Sequence, residues 1–172
     1  MKTTIVLSVL SAAMLLTACG GGSEEAREKK MEAEAAKHGV DADVELDDNG
    51  DVASVRINNG LGATVGSNLD LPDGFPSDVP MDGGWSIIST SAVPGQQDGF
   101  MVQAMSDESV ADLAEQAQRD MTAAGWSEIA ADNPTPQMSR LGFEKDGRMT
   151  NYILMDAGEK TSIQVVTMKK PG

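Results

Sequence analysis

Asp146-Gly147 separates two runs of alternating apolar character, Met138 to Lys145 and Arg148 to Met155. An Asx-Gly pair reaches positive φ at both positions at little cost, so it closes a two-residue type I′ hairpin. That turn sets the register, because slipping by one residue would send every side chain to the other face. Phe143 is then expected opposite Thr150, and Leu141 opposite Tyr152, on one face. Met149, Ile153 and Met155 fall on the other. Asn49-Gly50 gives a second type I′ signal. Before it, Val44 and Leu46 alternate with Asp43, Glu45 and Asp47, and after it come Val52, Val55 and Ile57. A chain punctuated in this way is committed to antiparallel sheet.

Further strands are expected over Ala63 to Leu71, Trp85 to Ser91, Phe100 to Met105, Trp126 to Ala130 and Ser162 to Met168. Pro94-Gly95 and Asp98-Gly99 lie between the second and third of these. Asn59-Gly60-Leu61-Gly62 and the 131–137 stretch, with Asn133-Pro134-Thr135-Pro136, read as loops. A helix is predicted from about Ser109 to Ala124. Asp107 and Glu108 sit at its positive end, Ser109 and Asp112 have capping-box spacing, and Gly125 ends it. Val110, Leu113, Ala117, Met121 and Ala124 recur at helical spacing, so they form one face that packs on a sheet. Gly84-Trp85-Ser86 and Gly125-Trp126-Ser127 each open a strand–loop–strand stretch whose second strand carries Gly-Phe (Gly99-Phe100, Gly142-Phe143). This hints at an internal repeat.

The start of the chain has another character. Lys2 precedes an apolar run from Ile5 to Leu16, then Leu16-Thr17-Ala18-Cys19-Gly20. The run is too short for a span of roughly 20 residues. Its three-part layout is that of a secretory signal, and the small residues before Cys19 make it a lipoprotein lipobox. Cleavage before Cys19 would leave its thiol as the acylation site. Two or more acyl chains anchor a protein stably where one does not. Gly20 is not the Asp that signals inner-membrane retention, so in a host with two membranes the outer membrane is the default address. Cys19 is the only cysteine, so acylation leaves no thiol for a disulfide, a nucleophile or a metal.

After Cys19, Gly20-Gly21-Gly22-Ser23 is a flexible spacer. Glu24 to His38 is rich in Glu, Lys and Ala, all good helix formers, with Glu25 and Lys29 in the favourable i,i+4 order. Met31 is its only large apolar residue, so it reads as a solvated helix ending at Gly39, about 20 Å long. The whole chain carries 13 basic and 27 acidic residues; losing Lys2 with the signal leaves 12 against 27, or −15. Such a surface repels nucleic acid and anionic headgroups. Eleven methionines against 3% aromatics point to adaptable apolar packing or an adaptable binding surface.

Leu71 to Pro80 reads Leu-Pro-Asp-Gly-Phe-Pro-Ser-Asp-Val-Pro. Three prolines exclude a helix or a central strand and hold the chain extended. Leu71, Phe75 and Val79 are expected as apolar pegs. This run resembles a motif, Leu-Pro-x-x-Phe-Pro-x-Asp-Val-Pro, of uncharacterised bacterial lipoproteins, in which a helix ending in Gly-Trp tends to follow, as Gly125-Trp126 does here. The resemblance covers about residues 66 to 130 and the lipobox. It implies an envelope lipoprotein and transfers no catalytic residue.

Candidate chemistry fails on spacing. Setting Gly50 at the sixth position of a calcium loop puts Glu45, Asp47 and Asn49 at 1, 3 and 5, but Arg56 falls where the bidentate Glu belongs. His38, the only histidine, lies in the spacer helix, where it cannot hold a triad. No phosphate-binding glycine loop is present. No catalytic residue, cofactor or metal site is expected, and an enzyme is not the favoured reading.

The expected fold is α+β: an antiparallel β-sheet with one packed α-helix, preceded by a charged helical tether and a β-hairpin. The expected organisation is a signal peptide (1–18), a lipidated spacer and charged helix (19–39), a hairpin segment (40–70), a Pro-rich connector (71–80) and an α+β domain (81–172). The expected role is a membrane-anchored envelope module that binds a protein or wall component through Met149, Ile153 and Met155. The alternative is a carrier of a small apolar ligand or lipid, with a cavity lined by Met101, Met105, Met121 and Phe143.

Overall fold

The computed structural model describes residues 23–58 and 62–170. The expected signal peptide, Cys19, Gly20 to Gly22 and the break at Asn59-Gly60-Leu61 lie outside the described residues. The chain divides into two compact units, Met1–Gly62 and Ala63–Gly172. The fold is α+β in class and mostly antiparallel sheet.

In the first unit, helix α1 (Glu24–Lys37) precedes strands β1 (Ala42–Leu46) and β2 (Val52–Ile57). The strands pair antiparallel, Val44 opposite Val55 and Leu46 opposite Val52. Their turn is not the two-residue type I′ turn that Asn49-Gly50 predicts. Only Gly50 has positive φ, and the loop runs from residue 47 to 51. Asp47 closes it: its Oδ1 accepts from the Asn49 and Asp51 amides, both at 2.9 Å. A local carboxylate–backbone turn wins over the Asn-Gly signal.

The second unit holds β3 (Ala63–Gly66), β4 (Ser86–Ala92), β5 (Phe100–Ser106), helix α2 (Val110–Ala123), β6 (Ser127–Thr135), β7 (Met138–Lys145), β8 (Arg148–Asp156) and β9 (Thr161–Lys169). Its strands lie in the order β3-β4-β5-β9-β8-β7-β6, and every neighbouring pair is antiparallel. Helix α2 links β5 to the edge strand β6; the chain then meanders back until β9 fills the place beside β5.

The hairpin β7–β8 has the register that Asp146-Gly147 dictates. Phe143 faces Thr150 and Leu141 faces Tyr152, and Asp146 and Gly147 have φ of 49° and 73°. Helix α2 starts where its cap predicts: Ser109 Oγ accepts from the Asp112 amide and donates to the Asp112 carboxylate. Its buried face is Val110, Leu113, Ala117 and Met121. They meet Val102, Leu141, Phe143, Tyr152, Leu154 and Ile163 in one core. Burying each large side chain contributes about 1.5–3 kcal/mol.

Two expectations fail. Strand β6 runs on through Asn133 and Pro134 to Thr135; it is an exposed edge, where a proline costs no ladder bond. The internal repeat also fails in register. Phe100 pairs with Ala92 beside its loop, whereas Phe143 pairs with Glu128 near the start of β6.

Candidate functional site

The sheet of the second unit has one covered face and one open face. Alternation puts Val102, Ala104, Leu141, Phe143, Tyr152, Leu154, Ile163 and Val165 under α2. All are 3% exposed or less. The intervening residues turn the other way, and within this unit no described helix lies over them.

Strand register resolves the open face into rows. Met149 stands beside Met168. Next come Met101, Val166 and Asn151, then Gln103, Gln164 and Ile153, then Met105, Ser162 and Met155. Rows two residues apart are about 6.8 Å apart along the strand. Five methionines, Ile153 and Val166 share this surface with uncharged amides and a hydroxyl. None of these positions on β5, β9 and β8 is charged, in a chain of net charge −14; on β7 the rows end in Glu144 beside Met149, Arg140 beside Ile153 and Met138 beside Met155. The Gln164 amide also reaches Met101 Sδ at 3.4 Å. Most of these side chains are half-buried against each other; Met155 is 44% exposed.

Met149, Ile153 and Met155 therefore stand together on one open surface. The four residues expected to line a carrier cavity do not. Met121 and Phe143 are fully buried under α2, while Met101 and Met105 lie on the open face. Period-2 alternation explains the split, since residues 101 and 105 cannot share a face with the buried Val102 and Ala104.

The proline-rich run is a strap fastened over the core. Val79 is 3% exposed. Phe75 meets Phe100 edge to face at 5.9 Å. Leu71 is not the peg its spacing predicts: it is 38% exposed, because the backbone at Leu69 is bonded along β4, to the Ile87 carbonyl, and the strap descends only afterwards. Asp78 is the main clasp. Both Arg148 nitrogens reach its carboxylate, at 2.8 and 2.6 Å, and Lys145 Nζ adds 2.9 Å. The Asp78 carbonyl accepts from Trp126 Nε1 at 2.7 Å, and the Pro80 carbonyl from the Tyr152 hydroxyl at 2.8 Å. Arg148 also lies 4.9 Å over the Trp126 ring, a cation–π contact. The Arg148 guanidinium, aided by Lys145, holds the Asp78 carboxyl far below the usual carboxylate range against the opposing effect of burial. Asp78 in turn raises the Arg148 pKa.

Sequence reasoning missed this clasp. Asp78 lies 67 and 70 residues from its two cationic partners, and no local pattern joins them. The Phe, Asp, Val and final Pro of the motif all have structural work here.

The other candidates lie in the first unit. Asp47 spends its carboxylate on its own turn, and the amides of that turn lower its pKa, that of Asp51 most. His38 sits at the end of α1 with its side chain 56% exposed. Among the described residues no three His, Cys, Asp or Glu side chains group as metal ligands. No helix among them is long and apolar enough to cross a membrane. Comparison with known proteins gives no match: no protein-family model, curated protein or solved structure aligns with this chain.

Proposed function

We propose that this chain is an envelope lipoprotein, acylated at Cys19, whose second unit binds an envelope protein through the open methionine face. The reading has no catalytic step and no cofactor. The lipobox at Leu16 to Cys19 and the likeness of Leu71 to Pro80 to the bacterial lipoprotein motif support the anchor. In a host with two membranes the expected address is the periplasmic side of the outer membrane. The glycine-rich residues 20–23 are then the tether, since the charged helix after them bonds to strand β1.

The observation that carries the binding role is the uncharged, methionine-rich strip over β5, β9 and β8, on a face whose β7 margin bears Arg140 and Glu144. Methionine is flexible and polarizable, so a surface built from it repacks against a partner. The Gln103–Gln164 pair crosses the middle of that face. Hydrocarbon would strip both amides of hydrogen bonds at a cost of kilocalories, whereas a protein surface can offer them donors and acceptors. The pair therefore favours a protein over a lipid as occupant.

The test is site-specific photocrosslinking from position 153 in intact cells, with position 128 on the edge strand as control. A discrete protein adduct from 153, lost when Met149→Asp and Met155→Asp are added, is the expected result. Crosslinks to lipid alone, or equal adducts from 128, would overturn the binding reading. A Cys19→Ser chain that stays in the membrane fraction would overturn the anchor separately.

A further inference from the structure

A cleft of about 220 Å³ opens beside the end of the strap, on the other side of the sheet from the methionine face. Met81 and Asp82 line it from the loop after the strap, Trp85 from the approach to β4, Gln116 and Asp120 from α2, and Tyr152 from β8. The volume is below the 300–1,000 Å³ of drug-sized sites, so the cleft admits a small group rather than a nucleotide or an acyl chain.

Its chemistry is one-sided. Two carboxylates line it and no basic residue does. Asp82 is held in place, Oδ1 accepting from the Gly84 amide at 2.6 Å and Oδ2 from Gln116 Nε2 at 2.5 Å. That second bond commits the amide end of Gln116 and leaves its Oε1 buried with no donor. Trp85 Nε1 is likewise buried with no acceptor. A buried polar atom without a partner costs about 1–3 kcal/mol, so two on residues that line one small cleft ask for a reason. The Trp85 and Tyr152 rings meet edge to face at 6.4 Å and form an aromatic wall.

Asp120 supplies an independent observation. It lies in the last turn of α2, where no basic residue stands. A carboxylate there opposes the helix dipole; the Asp120 carbonyl accepts from the Ala124 amide, but its carboxylate has no hydrogen-bond or ion-pair partner among the described residues. Helix stability gives no reason for it. It faces the Tyr152 phenol, whose pKa is raised mainly by burial and further by the Asp120 charge.

We propose that this cleft binds a primary ammonium group, carried either by a free alkyl amine or by a lysine side chain of another protein. An ammonium has three donors and no acceptor. Its donors meet the Asp82 and Asp120 carboxylates, and a turn of the Gln116 side chain brings the shielded Oε1 onto the third, while the Trp85 and Tyr152 rings attract the charge.

The two tryptophans make the test internal. Trp126 Nε1 is bonded to Asp78 in the strap, so in a ¹⁵N-labelled protein its indole resonance is the control for that of Trp85. Titration with n-butylammonium chloride should move the Trp85 resonance saturably at millimolar concentration and leave Trp126 still. n-Butanol and sodium chloride should move neither. Asp120→Asn should weaken binding about tenfold or more while the protein melts no earlier than the wild type, since the substitution removes a charge the helix end disfavours. No saturable shift, an equal response to butanol or salt, or full binding by the Asp120→Asn protein would overturn the proposal. Nα-acetyl-lysine N-methylamide, its side-chain ammonium free, and cadaverine then separate the sources: tighter binding of the first assigns the site to a protein lysine, tighter binding of the second to a free amine.

Discussion

The two units of this chain are held together by opposite means. In the second, a continuous apolar core lies between α2 and the sheet, and a proline-rich strap closes over it with one multiply bonded carboxylate. In the first, among the described residues, only Ala42, Val44 and Ser54 are buried, and α1 has no buried residue at all. It meets the hairpin along a stripe of half-buried positions, Glu28, Met31, Glu32 and Ala35. Two of those four are carboxylates. Helix-to-sheet packing therefore does not require an apolar face when the strand edge offers unpaired amides to acids. Such packing should be easily undone, while the second unit should resist.

The largest expected effect lies in the core of the second unit. Leu113 is fully buried on α2, and truncating a buried leucine leaves a cavity worth about 2–5 kcal/mol. Leu113→Ala should lower the stability of the second unit by that amount in chemical denaturation followed by tryptophan fluorescence. Both tryptophans belong to that unit, so the readout is specific to it. A loss under 1 kcal/mol would mean that the core is not the main support.

Next comes the strap. Asp78→Asn removes the charge from three charge-assisted bonds; each such bond is worth about 1.5–3 kcal/mol at most, and partial exposure of all three side chains reduces the total, so a loss of about 2 kcal/mol is expected. The pH dependence carries the sign. The folded Asp78 pKa is depressed, so its contribution is complete above the unfolded value near 3.9 and fades as pH falls toward the folded value. The stability gap between wild type and Asp78→Asn should thus stay flat above about pH 5 and close in strong acid. A gap that widens in acid would show that the clasp is not electrostatic.

How much of this was legible from the sequence follows from how local each cause is. The β7–β8 register, the α2 face and the Ser109 cap were readable, because turn, periodicity and cap each act within a few residues. The two Asx-Gly pairs show the limit. Asp146-Gly147 has nothing nearby to compete with it. At Asn49-Gly50, Asp47 offers its carboxylate to the same amides and takes the turn over. Met101 and Met105 were misassigned, although alternation with Val102 and Ala104 already placed them on the opposite face. The Asp78 clasp and the cleft at Gln116 were beyond reach, because their partners meet only once the sheet order is known.

The smallest expected effect tests the polar packing of the first unit. Glu32 Oε1 accepts from the Val44 amide at 3.2 Å, and Glu28 Oε1 from the Leu46 amide at 3.1 Å. The match is geometric. Four residues of helix rise about 6 Å, and two residues of strand advance about 6.8 Å, so acids at i and i+4 meet every second amide of an antiparallel neighbour. Strand β1 has its unpaired edge there, and an open edge invites foreign strands. The two glutamates cover it without apolar burial, while Arg27 reaches the Gly50 carbonyl at 2.8 Å to fix the far end. Each bond is worth about 0.5–1.5 kcal/mol net. Glu28→Ala with Glu32→Ala should therefore speed hydrogen exchange at Val44 and Leu46 roughly tenfold, the equivalent of about 1.4 kcal/mol, and leave the fluorescence transition of the second unit unmoved. Unchanged exchange would show that α1 contributes nothing to the edge. A shifted fluorescence transition would show that the two units are coupled, and the contrast between them would lose its meaning.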